Sequence, residues 1–100
     1  MASSKEYLQF ILEQLSDLDE ITYRKMMGEY IIYYHGKILG GIYDDRLLIK
    51  PINSVLDYMS EITYEVPYEG AKPMIFIKEI ENKDFLIGLF RMMYDELSKK

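Results

Sequence analysis

The stretch "RKMMGEYIIYYHGKILGGIYDDRLLIK", from Arg24 to Lys50, decides the fold. It holds four glycines, the chain's one histidine and a pair of aspartates. Either the glycines cradle a phosphate and the carboxylates grip a metal, or this is sheet whose glycines and aspartates make turns. A dinucleotide loop needs G-x-G-x-x-G between a strand and a helix, and a P-loop needs G-x-x-x-x-G-K-[ST]. Gly28, Gly36, Gly40 and Gly41 match neither spacing. The residues between them are β-branched and aromatic, which suits a pleated surface. The stretch therefore reads as sheet.

Ile21 to Tyr34 forms one β-rich run, and His35-Gly36 makes a tight turn. Glycine adopts positive φ freely and histidine tolerates it better than most residues. Lys37 to Tyr43 follows as a second strand, Asp44-Asp45-Arg46 as a second turn, and Leu47 to Lys50 as a third strand. Aspartate side chains bond nearby amides, which favours turns. Gly40-Gly41 inside a strand marks a bulge or the close approach of a helix.

Upstream, "ASSKEYLQFILEQLSDL" reads as a helix. Ser3 and Glu6 fit a capping box, and Tyr7, Phe10, Ile11, Leu15 and Leu18 recur at helical spacing. Downstream, Pro51 stops the third strand. Asn53 or Ser54 caps a short helix through Met59. "ITYEV" and "MIFIKEI" are two more strands, separated by the "YEGAKP" loop. Asn82 caps a final helix with Phe85, Leu89, Met93 and Leu97 along one stripe, and Lys99 and Lys100 suit the negative end of its dipole. The order is α-β(3)-α-β(2)-α. The predicted architecture is a single α+β domain over residues 1–100, with a five-stranded antiparallel sheet and helices on one face.

Composition narrows the function. A chain of 100 residues buries roughly 60–70% of the surface its unfolded form exposes, enough for one modest core. Twelve basic residues against 17 acidic ones leave a net charge of −5, which argues against direct nucleic-acid binding, whose affinity rests on Lys and Arg. The absence of cysteine excludes disulfides, thiolate zinc sites and cysteine nucleophiles. No leader form or membrane span is legible, so a cytoplasmic protein is expected.

Among the acidic groups, "DLDE" lacks the glycine and distal glutamate of a calcium loop. Glu65 and Glu69 flank Pro67 and could face one cleft. His35 has no neighbouring ligand set, and Ser54, Ser60 and Ser98 carry no nucleophile motif. No metal site, cofactor or catalytic residue is expected. The ten tyrosines are the oddest feature. Strand side chains alternate between faces, so with helices on one side some rings reach the open face, where amphipathic rings favour protein contact. Tyr33, Tyr34, Tyr43 and Arg46 are the candidate contacts. An alternative is a small-ligand or enzymatic cleft over residues 65–74, near "YEGAKP", lined by Arg24, Lys50 and Glu69. An uncovered edge strand also invites pairing with a second copy, a homodimer.

The same residues carry a family resemblance. Arg24, Met26, Gly28, Tyr30, Ile32 and Tyr33, then Gly36 and Lys37, then Asp44, Asp45, Arg46, Leu47 and Lys50, then Tyr68, Gly70, Pro73 and Met74 fall in order and at the right distances. Together the chain resembles the N-terminal domain of the bacterial TfoX/Sxy competence regulators. That family runs R-x-M-F-G-G-Y-G-I-Y, a D-G-K turn, D-D-R-L-Y-L-K and Y-x-G-x-x-P-M. Met27, Glu29 and Ile31 depart from it. The resemblance implies a fold similar to the secretion-chaperone class. It also implies a stand-alone domain without the regulators' C-terminal helical domain. Full-length members are co-regulators of competence genes that work with the cyclic-AMP receptor protein. The implied role is thus a non-enzymatic, transcription-linked module whose partner is another protein, such as a transcription factor.

Overall fold

The computed structural model describes residues 3–99. In chain order it contains α1 (Lys5–Gln14), β1 (Ile21–Met26), β2 (Glu29–Tyr34), β3 (Lys37–Ile42), β4 (Leu47–Ile49), α2 (Asn53–Tyr58), β5 (Tyr64–Glu65), β6 (Met74–Ile77) and α3 (Lys83–Ser98). The strands form one antiparallel sheet in the order β1-β2-β3-β4-β6-β5. The α+β class is as the sequence indicates, with six strands rather than five.

The extra strand comes from a hairpin inside the run that reads as one strand. Met27 and Gly28 both have positive φ, 52° and 85°, and β1 folds back on β2 with Met26 opposite Glu29. Two-residue hairpins favour this mirror-image turn because its twist matches that of the strands. His35-Gly36 repeats it with φ of 51° and 79°, and Asp44-Asp45 with 55° at both residues. The meander β1 to β4 therefore contains three tight turns of one kind.

The Gly40-Gly41 pair does sit at an irregularity. Ile32 pairs with Gly40 but Tyr33 with Ile38, so Leu39 is the extra residue of a bulge. The close approach comes from neighbouring strands and a ring, not from a helix. A Cβ on Gly40 would lie 2.2 Å from the Leu48 carbonyl oxygen and 2.7 Å from the Ile49 Cα. One on Gly41 would meet the Tyr30 oxygen and the Tyr43 ring.

Alternation along β2 sets the two faces. Tyr30, Ile32 and Tyr34 are buried, while Glu29, Ile31 and Tyr33 are only half-buried on the other side. The inner face continues through Ile42, Leu47, Ile49, Ile75 and Ile77. It packs against Leu8, Ile11 and Leu15 of α1, Val55 of α2, and Leu86, Leu89, Phe90 and Met93 of α3. Each such side chain contributes roughly 1.5–3 kcal/mol on full burial.

Helix starts differ from the expected pattern where long-range contacts intervene. Ser4, not Ser3, caps α1, its hydroxyl accepting from the Tyr7 N–H at 3.1 Å. Neither Asn53 nor Ser54 caps α2. Their backbone N–H groups donate instead to the Glu96 carboxylate of α3, at 3.3 and 2.6 Å. Asn82 caps α3 as read, accepting from the Phe85 N–H at 3.1 Å. Lys100, expected at the end of α3, lies outside the described residues. Among the described residues, no helix is long and apolar enough to cross a membrane.

Candidate functional site

The helix-free face of the sheet is not flat. Cross-strand partners share a face, so Gly41, Leu48 and Phe76 lie together on it. Because Gly41 has no side chain, the Tyr43 ring can lie over it. Tyr43 in turn meets Tyr68 of the 66–73 segment, with ring centroids 6.2 Å apart. This contact brings the segment beside the sheet and leaves an open groove of about 940 Å³. It is lined by Tyr43 and Tyr68, the prolines Pro51, Pro67 and Pro73, Met74, two cations, Lys50 and Lys72, and, at the β5 edge, Tyr64, whose partner Ile75 belongs to the other face.

The β3–β4 turn fixes one wall. Arg46 donates from Nε to the Tyr43 carbonyl (3.1 Å), from Nη1 to Glu65 Oε1 (2.5 Å) and from Nη2 to the Val66 carbonyl (3.3 Å). It thus braces β5 and the start of the 66–73 segment against the turn. On the other side of the turn, the buried Ser3 hydroxyl donates to Glu29 Oε1 (2.6 Å) and accepts from the Asp45 N–H. The Asp44 N–H also donates to Glu29, and the Ser4 N–H donates to Asp45 Oδ1 at 2.7 Å. Aspartates with positive φ are held there by these bonds. Glu29 is the hub that ties the N-terminal segment to the turn.

The sequence-derived contact residues separate in space. Tyr43 lines the groove. Tyr33 faces the same side of the sheet as Ile31, at the β1–β2–β3 end and outside the groove lining. Tyr34 is corrected to a core residue. It lies on the helix-covered face at 8% exposure, its ring 5.3 Å from Tyr94 and 4.6 Å from His35. The reason is parity: adjacent residues of a strand cannot both face the groove. Arg46 acts as a brace through its three bonds within the chain and is not part of the groove lining.

The alternative cleft set also divides. Lys50 lines the groove. Arg24 lies on β1, at the opposite edge of the sheet, and Glu69 is exposed without joining the lining. Glu65 is paired with Arg46, so it and Glu69 do not act as two facing acids. Tyr64, Tyr68 and Lys72 are among the groove residues that neither candidate set named. The Y-x-G-x-x-P-M motif carried a signal for Tyr68, Pro73 and Met74, whereas Lys72 falls at one of its unspecified positions.

Burial raises the Tyr43 phenol above its ordinary value, and the neighbouring Tyr68 and Glu29 add to the effect. Tyr43 is therefore a neutral hydroxyl at physiological pH, able to donate and accept. Among the described residues, no three acidic or histidine side chains converge where a metal ion could sit. The groove offers ring faces, an apolar floor and two ammonium groups. It offers no paired acid and base.

The sequence profile of the TfoX N-terminal domain matches residues 13–82. An uncharacterized 12.7 kDa protein from the trpE 5′ region of Spirochaeta aurantia is 31% identical over 72 residues. That match spans 72% of this chain and 63% of the relative's length. No solved structure matches the chain.

Proposed function

The chain belongs to the TfoX N-terminal domain family, and from that premise we propose that it is a non-enzymatic regulatory module, tied to transcription or competence control, that holds another protein in the groove of its helix-free face. The groove itself carries the reading. Three tyrosines, three prolines and a methionine line it, with Tyr64, Tyr68, Pro51 and Pro73 exposed and Tyr43 and Met74 half-buried. Protein contact surfaces favour aromatic and methionine side chains, and rings lose little conformational freedom on binding. Lys50 and Lys72 are the cations of the lining in a chain of net charge −5. They favour a partner segment that brings carboxylates to an aromatic and proline surface.

The test is capture from native cells with the full chain as bait, beside a Tyr43→Ser/Tyr68→Ser variant of matched thermal stability. The expected result is a transcription-machinery polypeptide retained by the native chain and lost from the variant. Equal recovery on both baits would show that the groove does not hold the partner. A thermal-shift screen with nucleotides and acyl anions separates the small-ligand alternative. An upward shift that vanishes in Lys50→Gln/Lys72→Gln would reassign the groove to a small anion.

A further inference from the structure

β1 ends the sheet on the side away from the groove, and its outer edge is open. The two-residue turn makes Met26 and Glu29 a hydrogen-bonded pair, so Arg24 and Thr22 also bond to β2. Glu20 continues that parity, its carbonyl accepting from the His35 N–H at 3.1 Å. The N–H and C=O groups of Ile21, Tyr23 and Lys25 therefore point outward. Among the described residues, none of these three makes a backbone bond to a further element. The strand contains no proline and no bulge, the devices that commonly blunt an edge.

The sequence along this edge is "DEITYRK", Asp19 to Lys25. Two acids lead, two cations close, and Thr22 stands at the centre. Read antiparallel to itself, the stretch is complementary in charge. We propose that β1 is a self-association edge: a second copy of this chain pairs antiparallel along it, with Thr22 on the twofold axis.

In that register every cross-strand neighbour is favourable. Ile21 and Tyr23 of the two copies exchange backbone bonds through their outward groups, in two equivalent places. Their side chains lie on the helix-covered face, where a β-branched and an aromatic residue pair well. Thr22 meets the second copy's Thr22 on the open face. Asp19 and Glu20 lie just before the strand, with the Glu20 carboxylate 3.7 Å from His35 Nδ1, so they meet the second copy's Arg24 and Lys25 as opposite charges at the strand ends, not as regular cross-strand pairs. Glu20 has a φ of 53°, so regular pairing stops there and charges close the ends.

A groove of about 490 Å³ also opens beside the edge, lined by Leu12, Leu15, Leu18 and Ile21 among others. The second copy's Tyr23 faces it. A register centred on Arg24 would oppose the two guanidinium groups. One centred on Tyr23 would leave the acids against methionines. Charge thus selects the Thr22 register, and a twofold axis makes each contact occur twice. The result is one continuous sheet across two copies, with both grooves of the helix-free face left open.

The first experiment is sedimentation equilibrium of the full chain over a wide concentration range. The expected mass rises from 11.9 kDa toward twice that value, and less steeply at high salt. Two charge variants, Arg24→Glu/Lys25→Glu and Asp19→Lys/Glu20→Lys, should each stay monomeric, while their equimolar mixture should recover the doubled mass. Recovery in the mixture also shows that both variants fold.

Register is read separately by thiol cross-linking, since the chain has no cysteine of its own. Non-hydrogen-bonded antiparallel partners have Cα atoms about 4.5 Å apart, within the range a disulfide spans. Thr22→Cys should therefore oxidise to a covalent dimer at least tenfold faster than Arg24→Cys. A monomer at every concentration would overturn the proposal and make Arg24 and Lys25 guards against pairing. So would a dimer that survives both charge variants, or one that cross-links equally at both positions.

Discussion

Gly40→Ala tests how tightly the sheet is built around its bulge. The added Cβ would lie 2.2 Å from the Leu48 carbonyl oxygen, 2.7 Å from the Ile49 Cα and 3.1 Å from the Ile49 Cγ2. Two of these atoms are backbone of β4, which is fixed by pairing with β3 and β6. No rotamer change relieves the clash. Overpacking typically costs about 1–3 kcal/mol, and a clash against backbone belongs at the upper end. Removing a glycine from the unfolded chain returns about 0.4–1 kcal/mol. The net loss is about 2 kcal/mol, which lowers the melting temperature of a domain this size by roughly 8–16 °C.

Calorimetric melting measures this directly, with Gly36 as the control. Gly36 has φ of 79° and open space around its missing side chain, so its substitution tests conformation alone. Gly36→Asn should be close to neutral because asparagine tolerates this region, while Gly36→Ala should lose about 1 kcal/mol. Gly40→Ala melting at or above the native temperature would refute the reasoning, because β4 would then be free to yield.

Tyr34→Ala should lose about 3–5 kcal/mol in urea unfolding, as a core aromatic does. A loss under about 1 kcal/mol would return Tyr34 to the surface. Arg46→Ala should lose about 1–2 kcal/mol, because charge-assisted bonds to Glu65 and two carbonyls go together. Arg46→Lys should recover less than half, since an ammonium cannot reproduce the three-way fork. Glu96 makes the protein acid-sensitive. The Ser54 backbone N–H, helped by the Asn53 N–H, holds its carboxyl below the ordinary value. Its stabilisation is therefore complete above the unfolded carboxyl's pKa and is lost as pH falls through the lower folded one. Glu96→Gln should flatten that acid limb in melting scans, and an unchanged limb would show that the contact is not held in solution.

Local chemistry was legible in the sequence wherever a turn or cap is decided within a few residues. His35-Gly36, Asp44-Asp45 and Asn82 each read correctly because glycine, aspartate and asparagine announce their own conformations. Met27-Gly28 was missed because methionine gives no sign of positive φ and both flanks read as strand. The Glu96 cap was not legible, since it joins residues more than forty positions apart. Ser3 looked like a cap for the same reason: its real partners, Glu29 and Asp45, approach only after the meander has folded. The site was half legible. Tyr43 and Lys50 were named, but Arg24 was grouped with them because strand order across a sheet leaves no mark on local sequence. Face parity was available in principle, and applied strictly along β2 it would have kept Tyr33 and Tyr34 apart.

The three two-residue turns bear on how the chain comes off the ribosome. Hairpins close in about 1–10 μs, and every pairing from β1 to β4 joins neighbours in sequence. The meander can therefore be complete soon after Ile49 has left the exit tunnel. The helix that covers much of its inner face, α3, ends about fifty residues later. At roughly 5–20 residues per second, Ile32, Leu39, Ile42, Leu47 and Ile49 wait about 2–10 s for that cover. During synthesis the half-made sheet is thus a sticky surface for a span far longer than its own folding time.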